Sequence, residues 1–374
     1  MKRKIRMGMV GGGPGAFIGG VHRMAARLDG EIELVSGVFG RDPAKSRACA
    51  EELYLDPTRG YSDYQSMIAA ELALPENKRI DFVAICTPNH LHFPVAKAFL
   101  EAGFHVLCEK PLAMNAQEAL ELEAVAQKSG KLFCLMHNYT GFPMVRQARQ
   151  LIAEGALGTI RKVNVEYSLG WLASPNAGKQ AAWRVDPKQA GISGCMGDIG
   201  THAQNLIEFV TGMQITEVSA ELSTFVPGRA LDDDGSVMLR FEGGARGLIF
   251  ASAVATGEEN NFILKIYGDK AALEWHEQDP ENLILRSNDA PIRILRRGWP
   301  GTGEAAAQNS RLPAGHPEGF IEAFGNIYRM FAEAIRSGKP GDYPSLADGV
   351  AEMRFLEAIV ANSNGTEKWT KIVR

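Results

Sequence analysis

The sequence predicts two domains: an α/β domain with a doubly wound parallel sheet, then an α+β domain with a large, mostly antiparallel open sheet. Residues 1–136 alternate short apolar runs with helical patterns, which is typical of βαβ units. Residues 137–374 contain consecutive strand patterns, which indicate an antiparallel meander. We expect the final helices of the chain to pack back on the first domain.

The elements of the first domain follow in regular order. Its five predicted strands lie in IRMGMVG, IELVSGVFG, IDFVAICT, FHVLCEK and LFCLM. The helices between them lie in GGVHRMAARLDG, PAKSRACAEELYL, HFPVAKAFLEAG and NAQEALELEAVAQKSG. Strands that are joined through helices pair in parallel, because each crossover returns the chain to the same edge of the sheet.

The second domain begins with a helix, a strand and another helix, in MVRQARQLIAEGALG, IRKVNVEYSLGW and GDIGTHAQNLIEFVTG. Six strands follow, in ITEVSAELST, SVMLRFE, RGLIFASAVAT, NFILKIYG, ALEWHEQ and NLILRS. Gly243-Gly244 predicts a tight hairpin. Residues 287–317 predict a long loop, and two helices close the chain, in EGFIEAFGNIYRMFAEAIRSG and SLADGVAEMRFLEAIVANSNG.

The amino-acid composition limits the kinds of molecule that the protein is expected to bind. The 374 residues are 45% hydrophobic and carry a formal net charge of −4, with no long basic run, which argues against a nucleic-acid or membrane-surface protein. No stretch approaches the ~20 apolar residues of a membrane span, and the N-terminus lacks a secretory apolar segment. The five cysteines lack CxxC spacing. We therefore expect a cytoplasmic protein with small-molecule partners and no metal.

A glycine-rich loop gives the first chemical signal. MVGGGPGAFIGGVH follows a predicted strand and opens a helix, the context in which backbone N–H groups and a helix N-terminus bind a dinucleotide pyrophosphate in a Rossmann domain. Gly11 and Gly13 supply the first two positions of the pattern. The third is either Ala16 or, in a loop three residues longer, Gly19.

Two polar segments give the second signal. TPNHLH follows the strand in IDFVAICT, and EKPLA follows the strand in FHVLCEK. Both lie at carboxyl ends of parallel strands, where doubly wound sheets bind ligands. The plain alternatives are a helix start at Thr87 to Asn89 and a surface charge at Lys110.

These segments together resemble the Gfo/Idh/MocA family of nicotinamide oxidoreductases. The resemblance spans nearly the whole chain and rests on the glycine loop, TPNHLH, GFHVLCEKPLA, LIAEGALGTIRKV, AWRVDPKQAGISGCMGDIGTH and the last helix before NSNGTEKW. It implies NAD or NADP as cofactor and a carbohydrate or polyol substrate. It also implies a homodimer or homotetramer and a cis peptide bond between Lys110 and Pro111.

The resemblance also implies site residues. Lys110, Asp198 and His202 would be catalytic and meet at the nicotinamide. The cofactor loop would contain Gly11, Gly13, Gly15, Ala16, Phe17 and Ile18, and the cofactor groove Thr87, Pro88, Asn89 and His92, while Glu109 and Lys110 would reach the nicotinamide ribose. Trp183 and Arg184 would face the substrate together with Lys110, Asp198 and His202. By residue type, Trp171, Asn176 and Gln180 also suit a polyhydroxylated ring, and His316 is a further pocket candidate.

Asp198 and His202 have a plain alternative in MGDIGTHAQNL. An Asp before an apolar-periodic run is the ordinary signal of a helix N-cap, and a histidine beside it is often a buried core residue. The family pattern favours chemistry, although one carboxylate oxygen could cap the helix while the other faces the cleft.

The residue types suit oxidation of a secondary alcohol. His202 would take the hydroxyl proton, Lys110 would stabilise the oxygen, and Asp198 would orient its neighbours. Two alternatives stay open: an oxidoreductive glycosidase that oxidises its substrate only transiently, and a non-catalytic cofactor or sugar sensor. Retention of the three residues speaks against the sensor.

The choice of cofactor depends on GVFGRDPAKS. Where NAD sites place an acid at the end of the second strand, this chain has Gly40, and Arg41 and Lys45 could contact a 2′-phosphate. Asp42 could restore an acid at the ribose or cap the next helix. We expect NADP to be accepted and slightly favoured over NAD.

Overall fold

The computed structural model describes residues 3–175 and 179–373. The chain divides into two compact units: the first runs to His137 and adds Phe324–Val350, and the second comprises Asn138–Ala323 and continues from Ala351. The boundary between them falls inside each of the last two long helices.

The first unit contains five strands and five helices of regular βαβ order. They are β1 (Ile5–Gly11), α1 (Phe17–Arg27), β2 (Ile32–Val38), α2 (Pro43–Glu52), α3 (Tyr64–Ala73), β3 (Phe82–Cys86), α4 (His92–Glu101), β4 (His105–Glu109), α5 (Ala116–Ser129) and β5 (Phe133–Met136).

The five strands form one parallel sheet in the order β2-β1-β3-β4-β5. β3 is buried along its whole length, from Phe82 to Cys86, as expected of a central strand that has helices on both faces. The strand order reverses direction between β1 and β3, and such a switch point opens a crevice at the carboxyl ends of the strands. The sheet confirms the predicted Rossmann-type fold.

The pairing register of the parallel sheet aligns the carboxyl ends of β1, β3 and β4. Gly11 of β1 pairs with Cys86 of β3, and Ile85 pairs with Cys108 of β4. Cys86 and Glu109, the last residues of β3 and β4, therefore lie side by side at one edge of the sheet. Thr87 and Lys110 follow them directly in the chain.

The second unit contains the remaining elements, except for the parts of the last two long helices that lie within Phe324–Val350 and belong to the first unit. They are α6 (Pro143–Ala153), β6 (Ile160–Ser168), α7 (Lys179–Ala182), α8 (Pro187–Ala190), α9 (Thr201–Thr211), β7 (Ile215–Ser223), β8 (Asp234–Phe241), β9 (Arg246–Ser252), β10 (Asn261–Gly268), β11 (Ala272–His276), β12 (Asn282–Arg286), β13 (Arg293–Arg296), α10 (Glu304–Ala307), α11 (Phe320–Ser337), α12 (Leu346–Asn364) and β14 (Thr370–Lys371).

Nine strands of this unit form a sheet in the order β13-β12-β11-β10-β6-β9-β8-β7-β14. All neighbours are antiparallel except β6 and β9, which run parallel. Side chains alternate between buried and more exposed along the strands, as in β8 and β11. α6 and α9 pack on the sheet, which gives the expected α+β domain.

Two local expectations have clear outcomes. The hairpin predicted at Gly243-Gly244 joins β8 to β9, and both glycines have positive φ. The prediction of a long loop over 287–317 is wrong in part, because this segment contains β13 and α10.

Among the described residues, no helix has both the length and the apolar character needed to cross a membrane.

Tight backbone packing defines the loop between β1 and α1. A Cβ on Gly13 would overlap the carbonyl oxygen of Phe39, and a Cβ on Gly19 would overlap the Cα of Gly12. Gly19 therefore provides the close helix-to-strand packing that the third glycine supplies in such loops. Of the two alternatives for that position, the packing favours Gly19; Ala16 is the residue that precedes α1.

Replacing Gly19 by alanine should lower the free energy of unfolding by about 1–3 kcal/mol, because the added methyl group overlaps backbone atoms of Gly12. Gly20 is the matched control, since it lies in the same helix turn and the nearest atom to its Cβ is the flexible end of Arg23 at 4.0 Å. Gly20→Ala should be neutral or stabilise by up to about 1 kcal/mol. Denaturant titration compares the two variants, and equal midpoints would contradict the packing argument.

Candidate functional site

The glycine loop leaves room for a ligand on one side. Gly11, Gly12 and Gly15 have positive φ, and a Cβ on Gly15 would meet no atom within 4 Å. α1 begins after Ala16 without a hydrogen bond from a capping side chain, so its first N–H groups are not capped in that way. Phe17 is 69% exposed and Ile18 is half-buried.

The segment after β3 presents an unsatisfied hydroxyl. The Oγ1 atom of Thr87 is buried and finds no hydrogen-bond partner in the part of the chain that the structure describes. Pro88 precedes a short 3-10 turn that begins at Asn89, which is buried. A buried hydroxyl of this kind fits a site that a ligand completes.

His92 joins the two polar segments of the first unit. Its Nδ1 lies 2.7 Å from the carbonyl oxygen of Pro111, and its Nε2 lies 2.9 Å from that of Thr87. His92 thus connects the loops after β3 and β4, and its expected place in the cofactor groove stays a prediction.

Glu109 has a buried partner that the sequence did not predict. Its Oε1 lies 2.8 Å from Nε2 of His22, and the Nδ1 of His22 lies 2.6 Å from the hydroxyl of Tyr328 on α11. His22 is fully buried, and Glu109 and Tyr328 are nearly so. The other carboxylate oxygen of Glu109 accepts a hydrogen bond from the backbone N–H of Lys110 at 3.3 Å.

The charges of this pair follow from its surroundings. Burial disfavours the charged form of His22, but Cys86 and Glu109 outweigh burial and raise the pKa of His22 to about 10. Burial raises the pKa of Glu109, but His22 outweighs it and leaves that pKa below its usual range. Both shifts run toward the charged forms, an imidazolium at His22 and a carboxylate at Glu109.

Lys110 is half-buried directly after β4. The peptide bond between Lys110 and Pro111 is cis, which confirms the expectation drawn from the Glu-Lys-Pro segment.

The segment after β2 answers the question about Asp42. Its carboxylate accepts hydrogen bonds from the backbone N–H groups of Ala44 and Lys45, so Asp42 is the N-cap of α2. Gly40 is half-buried, with no atom within 4 Å of its Cβ position, and Arg41 and Lys45 are exposed.

In the second unit, Asp198 is not a helix cap, and that alternative is wrong. It lies inside a π-helical turn, Met196–Gly200, that continues directly into α9. The helix begins earlier because Asp232 accepts hydrogen bonds from the N–H groups of Gly194 and Met196, each at 2.9 Å. π-Helical turns within α-helices are frequent at functional sites.

His202 lies on α9, 7% exposed, against two tyrosines. Its ring meets that of Tyr139 edge to face, with centroids 4.9 Å apart. The hydroxyls of Tyr139 and Tyr167 are 2.6 Å apart, and the Tyr167 hydroxyl donates to Oδ1 of Asn260 at 2.9 Å. Burial raises the pKa of both phenols, so they act as neutral hydrogen-bonding groups.

Arg184 connects Asp198 to two indole rings. Its Nε donates to Oδ2 of Asp198 at 3.2 Å, and its guanidinium lies 4.3 Å from the ring centre of Trp183 and 5.5 Å from that of Trp171. The predicted substrate residues of this unit, Asp198, Trp171, Trp183 and Arg184, are thus brought together.

The other substrate candidates have different placements. Asn176 and the side chain of Gln180 lie outside the described residues. His316 is exposed, and its carbonyl oxygen accepts a hydrogen bond from Arg297.

A buried ion pair fixes the loop that carries Trp171. Asp233 accepts hydrogen bonds from the N–H groups of Phe225 and Val226 and forms an ion pair with Arg229. Arg229 also donates to the carbonyl oxygens of Leu172 and Ser174.

Sequence reasoning missed several of these residues. Tyr139 had a usable signal, because it follows the last strand of the βαβ series as Thr87 and Lys110 follow theirs. The partners of His22, and the helix cap supplied by Asp232, come from distant parts of the chain and leave no local pattern.

The parallel sheet with its glycine loop defines a Rossmann-type domain, and comparisons with known proteins place the chain among oxidoreductases. Residues 5–137 match the oxidoreductase family with an NAD-binding Rossmann fold, and residues 145–274 match the GFO/IDH/MocA C-terminal domain. The chain belongs to the Gfo/Idh/MocA family.

Individual relatives cover almost the whole chain. The oxidoreductase YfiI of Bacillus subtilis is 34% identical over 99% of this chain and 98% of its own length. The structure of an inositol dehydrogenase homologue from Azotobacter vinelandii, complexed with NAD+, is 36% identical, with a TM-score of 0.94 over 99% of this chain and 97% of that one. The same homologue is also known with NADH and myo-inositol.

A third relative is the levoglucosan dehydrogenase of Pseudarthrobacter phenanthrenivorans, which is 28% identical over 99% of this chain and 98% of its own length. A structure of levoglucosan dehydrogenase with NADH and levoglucosan has a TM-score of 0.87 and covers 99% of this chain and 100% of that one.

Tyr167→Phe should lower the free energy of unfolding by about 1–3 kcal/mol, because it removes a buried hydroxyl that hydrogen-bonds the Tyr139 hydroxyl and Oδ1 of Asn260. Tyr139 keeps the hydrogen bond from Nδ2 of Asn260, so the amide oxygen of Asn260 is the group left unsatisfied. Tyr267 on β10 is 40% exposed and serves as the control, with an expected change within about 0.5 kcal/mol. Denaturant titration measures both, and a Tyr167→Phe variant as stable as Tyr267→Phe would show that the hydroxyl network contributes nothing.

Proposed function

We propose that this protein is an NAD(P)-dependent dehydrogenase that oxidises a secondary alcohol of a sugar, anhydrosugar, glycoside or inositol. The observation that carries the proposal is the group formed by Asp198, Arg184 and the two indoles, in the same unit and next to the helix that carries His202. Vicinal hydroxyls bind to such charged groups, and aromatic faces suit the apolar face of a sugar ring.

The first unit fits a dinucleotide. Its glycine loop has positive φ where a pyrophosphate would approach, the first turn of α1 is not capped by a side chain, and the Thr87 hydroxyl is unpartnered among the described residues. Gly11, Gly13 and Gly15 would hold the pyrophosphate, and Thr87, Asn89 and Glu109 would line the groove. The nicotinamide, when bound, supplies hydride acceptance from the alcohol carbon.

The side chains supply the proton chemistry. His202 accepts the hydroxyl proton, because imidazole is the side chain that ordinarily ionises closest to neutral pH. Lys110 carries an ammonium group that suits stabilisation of negative charge on a substrate oxygen. Asp198, paired with Arg184, orients the substrate hydroxyls.

The relatives support this choice of substrate class, since their structures contain myo-inositol and levoglucosan. A panel of inositols, anhydrosugars, sugars and glycosides, assayed with NAD+ and NADP+ for absorbance of the reduced nicotinamide, tests it. Aglycone release without net cofactor reduction would indicate an oxidoreductive glycosidase instead. A panel without turnover, combined with sugar binding, would indicate a sensor.

The outer face of the nine-stranded sheet favours a homodimer or homotetramer. It exposes the apolar side chains of Met238, Leu248, Tyr267 and Ile294. Light scattering of the purified chain tests this assembly.

His202→Ala should lower turnover by roughly 10²- to 10⁴-fold, the usual contribution of a positioned acid/base group. NADH binding, followed by fluorescence, should stay unchanged, since the proposed role concerns the substrate proton. His276→Ala, on β11, is the matched histidine control and should retain full turnover. Near wild-type turnover in His202→Ala would remove His202 from the mechanism.

Arg41→Ala should weaken NADPH binding by about 10- to 100-fold and NADH binding little, because a guanidinium contact to a 2′-phosphate contributes about 1.5–3 kcal/mol. We propose that the wild type accepts NADP and slightly favours it, since Asp42 is engaged as a helix cap and Gly40 offers no carboxylate. Dissociation constants for both reduced cofactors measure this. A strong NAD preference that survives Asp42→Ala would contradict it.

A further inference from the structure

His22 lies outside the chemistry proposed above, yet it is fully buried and polar at both ends. It sits on α1, three residues after Gly19, and its ring bridges Glu109 at the end of β4 and Tyr328 on α11. Cys86, the last residue of β3, also borders it. Buried polar groups that link several elements specify one arrangement of those elements when all partners are satisfied.

We infer that His22 is a positioning residue for the cofactor, acting through Glu109 on the backbone and side chain of Lys110. This inference rests on the proposed function, in which Glu109 lines the cofactor groove and Lys110 directly follows it at the end of β4. Glu109 is the link, because one carboxylate oxygen binds His22 and the other accepts the N–H of Lys110.

The packing around the pair makes His22 difficult to replace. Phe324 and Tyr328 meet its ring edge to face, with centroids 5.3 Å and 5.7 Å away. The ring therefore cannot rotate freely, and Nε2 stays directed at Glu109. Pre-organised groups of this kind hold binding residues in one geometry before the ligand arrives.

Removal of His22 has an expected electrostatic consequence. The titratable and charged groups that face the pair from the packed elements are Cys86, His92, Lys110 and Tyr328. Lys110 and His92 also lower the pKa of Glu109, but His22 is its closest stabilising partner. Without His22, the buried carboxyl of Glu109 should protonate at higher pH, and cofactor binding should weaken earlier on the acid side.

NADH binding by fluorescence, measured against pH, tests the inference independently of turnover. His22→Gln, which keeps an amide donor but no charge, should weaken NADH binding at neutral pH by about 10-fold, the effect of roughly 1.4 kcal/mol. The acid limb of the binding profile is the pH range in which NADH binding is lost on acidification. It should also shift to higher pH in this variant. A purely structural role would change the unfolding midpoint and leave that limb in place.

A double-mutant cycle with Glu109→Gln identifies the route. If His22 acts through Glu109, then the double variant should bind NADH with the same affinity as the Glu109→Gln single variant. Full additivity of the two losses would overturn the inference, as would an unchanged affinity and pH profile in His22→Gln.

Tyr328→Phe decides the matter if His22→Gln does not fold. It keeps the ring packing and deletes the hydrogen bond that orients the imidazole of His22, so NADH binding at neutral pH should weaken in the same direction by less than about 10-fold. Unchanged NADH affinity in Tyr328→Phe would overturn the inference. Wild-type NADH binding without turnover of any alcohol would defeat the dehydrogenase proposal alone, whereas a wild type that binds neither NADH nor NADPH would overturn both.

Discussion

The first unit depends on one constraint: the backbone at Gly12 and the backbone of α1 at Gly19 are in direct contact, with no side chain between them. At Gly12 and Gly19, α1 approaches β1 so closely that a methyl group would overlap the chain. Residues three apart share a helix face, so the approach at Gly19 carries His22 into the interior, within reach of Glu109. The conformation of the glycine loop and the buried pair of His22 and Glu109 thus both follow from this one close contact.

In the second unit, two consecutive aspartates, Asp232 and Asp233, hold the segments that carry the candidate site residues. Asp232 caps the helix that carries Asp198 and His202, and Asp233 fixes the loops that hold Arg229 and, through it, the segment of Trp171. Asp234 begins β8. Asp232 supplies the cap, and the carboxylate of Asp198 accepts a hydrogen bond from Arg184.

Local patterns predicted the architecture and much of the candidate site. The βαβ alternation gave the parallel sheet, and the rule that ligands bind at carboxyl ends of strands selected the segments of Thr87 and Lys110. Contacts between distant residues could not be predicted in this way. Periodicity can place His22 on a buried helix face, but only the fold brings Glu109 and Tyr328 to it. The cap at Asp232 reaches a helix start 38 residues earlier in the chain.

Some failures have a local cause. β13 was missed because its sequence, RILR, is exposed along most of its length and carries arginines at both ends, as an edge strand can. The π-helical turn was missed because its composition is that of an ordinary helix start. Asp198 was weighed as a cap for the same reason.

The parallel pairing of β6 and β9 has a consequence for how the chain reaches this structure. β6 lies in the middle of the nine-stranded sheet, yet both its neighbours, β9 and β10, come after β7 and β8 in the chain. No hairpin can form the centre of the sheet, so long loops must close first, which slows folding. On the ribosome, β6 with its apolar Val163 and Val165 emerges well before its partners. The nascent chain therefore contains an unpaired central strand until β9 is made, and unpaired strands of this kind favour aggregation.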